Sequence, residues 1–174
     1  YDYKIFLDLA EKYKDKVHIA FKPHPILLSN LYEHKDWGKK RADNYYKKWE
    51  KLENGQLETG DYIDLMFFSD AMIHDSLSFT AEYLYTKKPV FFLTRKNHSE
   101  KLCDFGKKAF NQHYKGSNKE EVEKFIINVV LNKNDYMFES RLDFYKKYLE
   151  PSNGKLVAKK IFEEILNGLS INDE

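Results

Sequence analysis

The sequence predicts an α/β domain that is doubly wound around a parallel sheet. The main observation is a strand–helix–strand unit, in which the strand pattern 71–74 and the apolar run 90–93 flank a helical pattern at 79–86. Two strands joined by one helix over so short a segment pair in parallel, with a right-handed crossover. A second observation is that the other apolar runs are short and alternate with amphipathic patterns. No repeat and no Gly/Ser-rich linker interrupts the chain, so residues 1–174 are expected to form a single domain.

Composition restricts the classes of function. The 174 residues are 42% hydrophobic and 16% aromatic, which suits one domain with a buried core. Lysine and arginine number 29 against 28 acidic residues, a net charge of +1 that gives no general reason to expect nucleic acid as a partner. The single cysteine, Cys103, excludes an internal disulfide and fits a reducing compartment, so we expect a cytoplasmic protein. We find no apolar run of signal-peptide or membrane-spanning length.

The first half of the chain alternates helices with short strands. Apolar residues recur every three or four positions in its two longer helical patterns, and the prolines at 23 and 25 end the first strand. The chain begins at Tyr1 in a helical pattern with no strand before it, so we expect a segment of a longer, two-domain protein. In order, the predicted elements are helix 4–14, strand 17–21, helix 41–53, a minor strand at 57–59, and a helix capped by Asp61 and ending at Phe68.

The second half contains the strand–helix–strand unit and a helical end. A turn and helix cap at 75–78 separates the first strand of the unit from its helix. In order, the predicted elements are strand 71–74, helix 79–86, strand 90–93, an edge strand at 112–115, helix 122–130, and helix 156–166 opened by Pro151-Ser152-Asn153-Gly154.

Polar residues follow the strand at 17–21. The segment Lys22-Pro23-His24-Pro25 begins where that strand ends. Because ligands of open parallel sheets bind beyond the carboxyl ends of the strands, this is a candidate site. Two prolines fix the backbone around His24, so its imidazole is held in place at little further entropic cost. A loop histidine with no function is the alternative interpretation.

A second polar cluster follows the strand at 71–74. It contains His74, Asp75, Ser76 and Ser78, with Glu82 at i+4 from Ser78 on the following helix. Hydroxyls and free amides at the start of a helix suit a phosphate, and a nearby carboxylate suits ribose hydroxyls. The alternative is that Asp75, Ser76 and Ser78 only cap the helix and that Glu82 is solvated.

Other motifs are weaker or absent. His98 and Glu100 follow the strand at 90–93 and could line the same crevice. No histidine pair has metal-ligand spacing, so we predict no metal site. There is neither a Gly-x-Gly-x-x-Gly fingerprint nor a Walker loop. The basic stretch Lys35 to Lys51 contains aromatic residues at helical spacing, which favours a core face over nucleic-acid binding; an anionic membrane surface is a further alternative.

Several segments together resemble a known family. They are Phe21-Lys22-Pro23-His24-Pro25, the run from Ser69 through His74 to Ser78, Lys88-Pro89-Val90-Phe91-Phe92, and the end of the chain from Phe144 to Lys155. In order and spacing these segments resemble the C-terminal half of the CDP-glycerol glycerophosphotransferases, the teichoic-acid polymerases, over most of residues 17–166. The resemblance implies a GT-B fold, of which this chain would be the Rossmann-like half that binds a nucleotide-activated donor.

The resemblance also implies roles for the two clusters. His24 would contact the donor phosphates or assist transfer, Asp75, Ser76 and Ser78 would form the nucleotide loop, and Glu82 would hold the ribose. Lys22 and His74 complete the expected set of donor contacts. The implied partners are a CDP-linked or other nucleotide donor and a cell-wall or capsule polymer that a missing N-terminal domain would position. No cofactor is expected, peripheral association with the inner face of the membrane is an option, and the chain alone is expected to be inactive.

Two other functions remain open from the residues themselves. A nucleotide-sugar epimerase of the same two-domain architecture would use similar donor contacts. A non-enzymatic α/β binding or regulatory module would use the second cluster only to cap its helix.

Overall fold

Two parallel sheets organise the chain. The computed structural model describes residues 4–95, 102–151 and 157–170. The strands are β1 Ile19–Phe21, β2 Gly55–Leu57, β3 Met72–His74, β4 Val90–Leu93 and β5 Tyr114–Gly116. The strand β1 pairs with β2, and β4 lies between β3 and β5; every pairing is parallel. The predicted α/β class and parallel pairing are therefore confirmed. No ladder joins the two sheets within the described ranges, so the single doubly wound sheet stays a prediction.

Helices connect the strands. They are α1 Lys4–Lys12, α2 Leu27–Glu33, α3 Gly38–Lys51, α4 Ile63–Phe68, α5 Phe79–Glu82, α6 Asp104–Phe110, α7 Lys119–Phe125, α8 Phe138–Phe144 and α9 Val157–Ser170. A 3₁₀ turn extends α5 to Thr86, and π-helical segments extend α7 to Leu131 and α8 to Leu149. Of the described helices, none is both long and apolar enough to cross a membrane.

Three helices have no counterpart in the prediction: α2, α6 and α8. Each is only seven residues long. No side chain caps α2 or α8, and α6 is capped by the sulfur of Cys103, which accepts from the amide of Gly106. Cysteine is not among the usual capping residues, so the start signals on which sequence reasoning depends are missing.

The central strand β4 is buried along its whole length. Its side chains alternate between two faces, as strand geometry requires. Phe91 and Leu93 enter a cluster formed with residues of α1, β5 and α7, and Val90 enters another with residues of α5, α6 and α8. Helices thus cover both faces of the second sheet, which is the usual environment of a parallel sheet.

The helix α1 connects the two halves of the core. Leu9 belongs to the cluster around β4, whereas Leu7 packs with Tyr45 and Trp49 beside the first sheet. The side-chain amide of Asn54 donates through Nδ2 to the carbonyl of Ala10 at 2.9 Å, which connects the turn before β2 to the same helix.

The aromatic residues of the basic stretch are core residues, as the sequence predicted. Trp49 is fully buried and Tyr45 is 4% exposed. Both rings contact Phe21 of β1, with ring centroids 5.2 Å apart for Trp49 and 5.6 Å apart for Tyr45. The opposite side of α3 carries its lysines.

A buried arginine connects α8 to the turn before β4. Arg141 is fully buried and pairs with Asp135, and its Nε donates to the carbonyl of Lys87. Lys87 has a left-handed conformation, with φ of 60°. A side chain of α8 therefore supports the strained turn that positions β4.

Two buried histidines lie side by side next to β4. The His74 and His113 ring centroids are 5.2 Å apart, and each Nδ1 donates to a backbone carbonyl, that of Ser76 and of Ala109 respectively. Each Nε2 is buried without a hydrogen-bond partner in the described chain. Burial lowers the pKa of His74 to about 4 and that of His113 to about 3. The neighbouring His74 lowers the pKa of His113 further. Both rings are therefore neutral in the folded protein.

These two rings make the fold acid-sensitive. In the unfolded chain both imidazoles take up a proton near pH 6.5, so their contribution to stability is complete above that pH and falls as the pH drops toward 4 and 3. We expect a loss of about 2 kcal/mol for each ring by about pH 5. The measurement is urea unfolding across this range. His113→Phe should flatten the dependence; equal slopes for wild type and His113→Phe would contradict the assignment.

Candidate functional site

The segment after β1 reaches the loop after β2. Lys22 donates through Nζ to the carbonyl of Gly60 at 2.6 Å. The parallel pairing of β1 with β2 brings both carboxyl ends to one edge, and the amide of Glu58 extends the pairing by donating to the carbonyl of Phe21. One of the three Lys22 N–H donors is used in this contact, and two remain for a ligand.

His24 is exposed, and its contacts fix its tautomer. Its Nδ1 accepts from the amide of Ile26 at 3.3 Å, and its carbonyl accepts from the amide of Leu27 at 2.8 Å. In the neutral ring an accepting Nδ1 leaves the proton on Nε2. His24 therefore presents an N–H donor at the end of β1, and the described structure gives this donor no protein partner.

An ion pair spans the carboxyl ends of β3 and β4. Asp75 follows β3, Arg95 follows β4, and the two side chains pair with each other. Because β3 and β4 are parallel and in contact, residues just beyond their ends are neighbours. Arg95 neutralises a carboxylate that would otherwise repel a phosphate. Sequence reasoning missed Arg95, although a cation two residues after a parallel strand is the signal that could have identified it.

The two serines of the second cluster do not cap α5 with their side chains. The Ser76 hydroxyl accepts from the amide of Ser78 at 3.2 Å, which forms a tight local turn. Ser78 occupies the position before the helix, but its side chain makes no capping hydrogen bond. The alternative interpretation, in which the Ser78 side chain caps the helix, is therefore wrong. The exposed hydroxyl of Ser78 is available to a ligand.

His74 is buried beneath the loop. It is 7% exposed, and its Nδ1 lies 3.0 Å from the Ser76 carbonyl, to which it donates. Its ring packs against Phe92 with centroids 4.9 Å apart. In this position the side chain supports the backbone of the 75–78 turn.

Glu82 lies on the exposed side of α5 and contacts a residue that sequence reasoning missed. Tyr62, which follows β2, donates its hydroxyl to Glu82 Oε2 at 3.2 Å. The Glu82 charge raises the pKa of Tyr62, so this hydroxyl stays protonated. The Tyr62 ring also packs edge-on against Phe79, with centroids 5.2 Å apart. No spacing rule predicts this pairing, because 20 residues separate the two partners.

The loop from Glu58 to Tyr62 links the two clusters. Lys22 of the first cluster holds the Gly60 carbonyl, and Tyr62 holds Glu82 of the second. Within the loop, Glu58 accepts from the amide of Gly60 at 2.7 Å. No hydrogen bond or ion pair between His24 and the 75–82 segment is recorded within the described ranges, and His98 and Glu100 lie outside them.

The edge carrying these residues is open. Recesses of 390 and 340 Å³ lie elsewhere, one on α9 and one between α6 and the π-helical extension of α8, and neither includes a residue of the two clusters. In the described parts of the chain, no group of three or more His, Cys, Asp or Glu side chains could hold a metal ion.

Comparison with known proteins identifies a family. Residues 6–167 match the family described as CDP-Glycerol:Poly(glycerophosphate) glycerophosphotransferase. No curated protein and no solved structure matches the chain. The family match covers almost all of the 174 residues and both clusters, and it confirms the resemblance seen in the sequence. The chain belongs to the family of CDP-glycerol:poly(glycerophosphate) glycerophosphotransferases.

Proposed function

We propose that this chain binds the CDP-linked donor of a glycerophosphotransferase at the edge formed by the ends of β1, β3 and β4. The observation that carries the proposal is that the loop after β2 connects the two polar clusters, through Lys22 at one end and Tyr62 at the other, in a chain of that family. We further propose that the chain is the Rossmann-like, C-terminal half of a GT-B enzyme, which faces a second domain across this open edge.

Donor phosphates would be held by groups that donate hydrogen bonds. Lys22 retains two N–H donors, His24 presents Nε2–H, and Ser78 presents a free hydroxyl. Asp75 adds no net negative charge at the edge because Arg95 pairs with it. Charge-assisted bonds to phosphate oxygens are the stronger class of hydrogen bond, which supports this edge as the diphosphate site.

The chemical step follows from the donor. A hydroxyl of the acceptor polymer attacks the phosphorus bearing glycerol and gives up its proton to solvent or to a base of the second domain, and the bond from that phosphorus to the bridging oxygen breaks. CMP leaves with the electron pair and gains negative charge, which the His24, Ser78 and Lys22 donors would stabilise. Tyr62 holds one oxygen of Glu82, which leaves the other to accept from the ribose hydroxyls. His74 would act indirectly, by holding the Ser76 carbonyl.

Replacement of the phosphate-facing groups should weaken nucleotide binding without unfolding the domain. We expect CDP to bind at about 10–1000 μM, because an open edge buries little of the ligand. His24→Ala and Ser78→Ala should each cost about 1–3 kcal/mol of binding, measured by calorimetry.

His34→Ala is the matched control for His24. His34 is also exposed, and its Nδ1 also accepts from the amide two residues ahead, at 3.2 Å. It should leave CDP affinity unchanged. Normal affinity in both site variants, or no binding of CDP, CMP or UDP at millimolar concentration, would contradict the proposed site.

Glu82 should set the preference for ribose. Wild type is expected to bind CDP more tightly than 2′,3′-dideoxy-CDP by about tenfold, because only the former offers hydroxyls to the carboxylate. Glu82→Gln should reduce this ratio, and Glu163→Gln on α9 is the control. A ratio unchanged by Glu82→Gln would exclude the ribose role while leaving the phosphate contacts intact.

The chain alone should bind donor without turning it over. Acceptor positioning would come from the second domain, and a group that is not held in place gains none of the rate that proximity provides. The check is an assay for polymer extension from CDP-glycerol. Product formation by residues 1–174 alone would show that no second domain is needed.

A further inference from the structure

Positive charge is concentrated on α3. Its 14 residues contain six cationic side chains and two acidic ones, whereas the entire 174-residue chain has a net charge of +1. The cations are Lys39, Lys40, Arg41, Lys47, Lys48 and Lys51. The charge of the molecule is therefore segregated, and α3 forms its basic side.

Three of these lysines form a line opposite the buried side of the helix. At 3.6 residues per turn, Lys40, Lys47 and Lys51 project away from Ala42 and Trp49, which are fully buried. All three are exposed, and no carboxylate of the described chain lies within ion-pair distance of them. Along the axis they are separated by about 10 and 6 Å. This lysine line matches a linear ligand with repeated negative charges.

The surroundings of the lysine line favour a polyanion without bases. Single-stranded nucleic acids are held by exposed aromatic rings as well as by cations, and the rings of α3 face the core. Helices that lie on membranes insert apolar side chains, and no large apolar residue of α3 is exposed. A flexible chain of phosphodiesters joined by polyol units can be bound by the positive charges of the lysines alone.

The orientation of α3 connects the lysine line to the donor edge. The helix belongs to the crossover between the parallel strands β1 and β2, and its last turn leads into the start of β2 at Gly55. It therefore runs antiparallel to the strands, and its first turn lies toward their carboxyl ends, where Lys22 and Gly60 meet. Over 14 residues the helix extends about 21 Å away from that edge.

We propose that the lysine line of α3 binds a polyol-phosphate polymer. The growing polymer would lie along this line and extend away from the site of transfer. This inference rests on the proposed function for the identity of the polymer, but it concerns a different surface. Binding at the line would retain the product between additions while its free end is at the donor edge. The avidity of the two contacts together would exceed that of either alone.

The test compares two triple variants of equal charge. Lys40→Gln/Lys47→Gln/Lys51→Gln removes the line, and Lys14→Gln/Lys16→Gln/Lys124→Gln removes three exposed lysines elsewhere. The probe is a fluorescent synthetic glycerol phosphate oligomer, followed by anisotropy at several salt concentrations. The line variant should bind about tenfold more weakly, with the slope of log K against log salt reduced by about 2. Equal affinities for the two triple variants would overturn the proposal.

Two further probes test whether the lysine line binds nucleic acid or a membrane instead, and a third tests the donor site independently of the line. Oligo(dT) of equal charge should bind no more tightly than the glycerol phosphate oligomer, and phosphatidylglycerol vesicles should not bind through the line. Tighter oligo(dT) binding, or vesicle binding lost only in the line variant, would overturn the proposal. CDP affinity should be the same in both triple variants. If CDP does not bind but the oligomer binds through the line, the proposed donor site is wrong and the polymer surface is supported. If CDP binds but the oligomer does not, the polymer surface is wrong and the donor site is supported.

Discussion

Burial of β4 between β3 and β5 is the constraint on which the candidate site depends. Four consecutive apolar residues leave the strand no face toward water, so it must be paired on both edges and covered on both sides. Pairing fixes the register of His74 with Phe92, and that register places the residues after each strand side by side. The Asp75–Arg95 ion pair follows directly from this alignment. The buried Arg141 supports the turn from which β4 begins, so α8 contributes to the geometry of the edge from the opposite end of the strand.

The second requirement is that the edge be compatible with negative charge. Asp75 alone would oppose a phosphate, but its partner Arg95 offsets the charge. His74 supports the same loop as a neutral ring, because burial keeps its pKa far below its ordinary value. It can therefore hold the Ser76 carbonyl without changing the charge of the edge near neutral pH. Lys22 and Tyr62 connect the loop after β2 to the two clusters: Lys22 donates to the carbonyl of Gly60, and Tyr62 donates to Glu82.

Local rules predicted the strands and most of the longer helices. The strand β4 was predicted at its observed bounds, and α3 and α7 were recognised from their periodicity. The short helix α6 was missed because its cap is a cysteine. The residues of both clusters could be chosen from their position after strands, but Tyr62 and Arg95 could not be paired with Glu82 and Asp75 from sequence alone. Such pairs depend on which strands are adjacent, and sequence spacing carries no signal of that kind.

The unequal burial of the two sheets has a consequence for motion. Residues of β1 are half-buried and the middle residue of β2 is exposed, whereas β4 is entirely enclosed. Amide hydrogens of the first sheet should therefore exchange through openings of lower free energy than those of β4. Lys22 and His24 sit on the more readily opened part, while Asp75 and Arg95 extend from the more rigid part. A ligand that contacts both would stabilise the first sheet against opening, and would slow exchange there most.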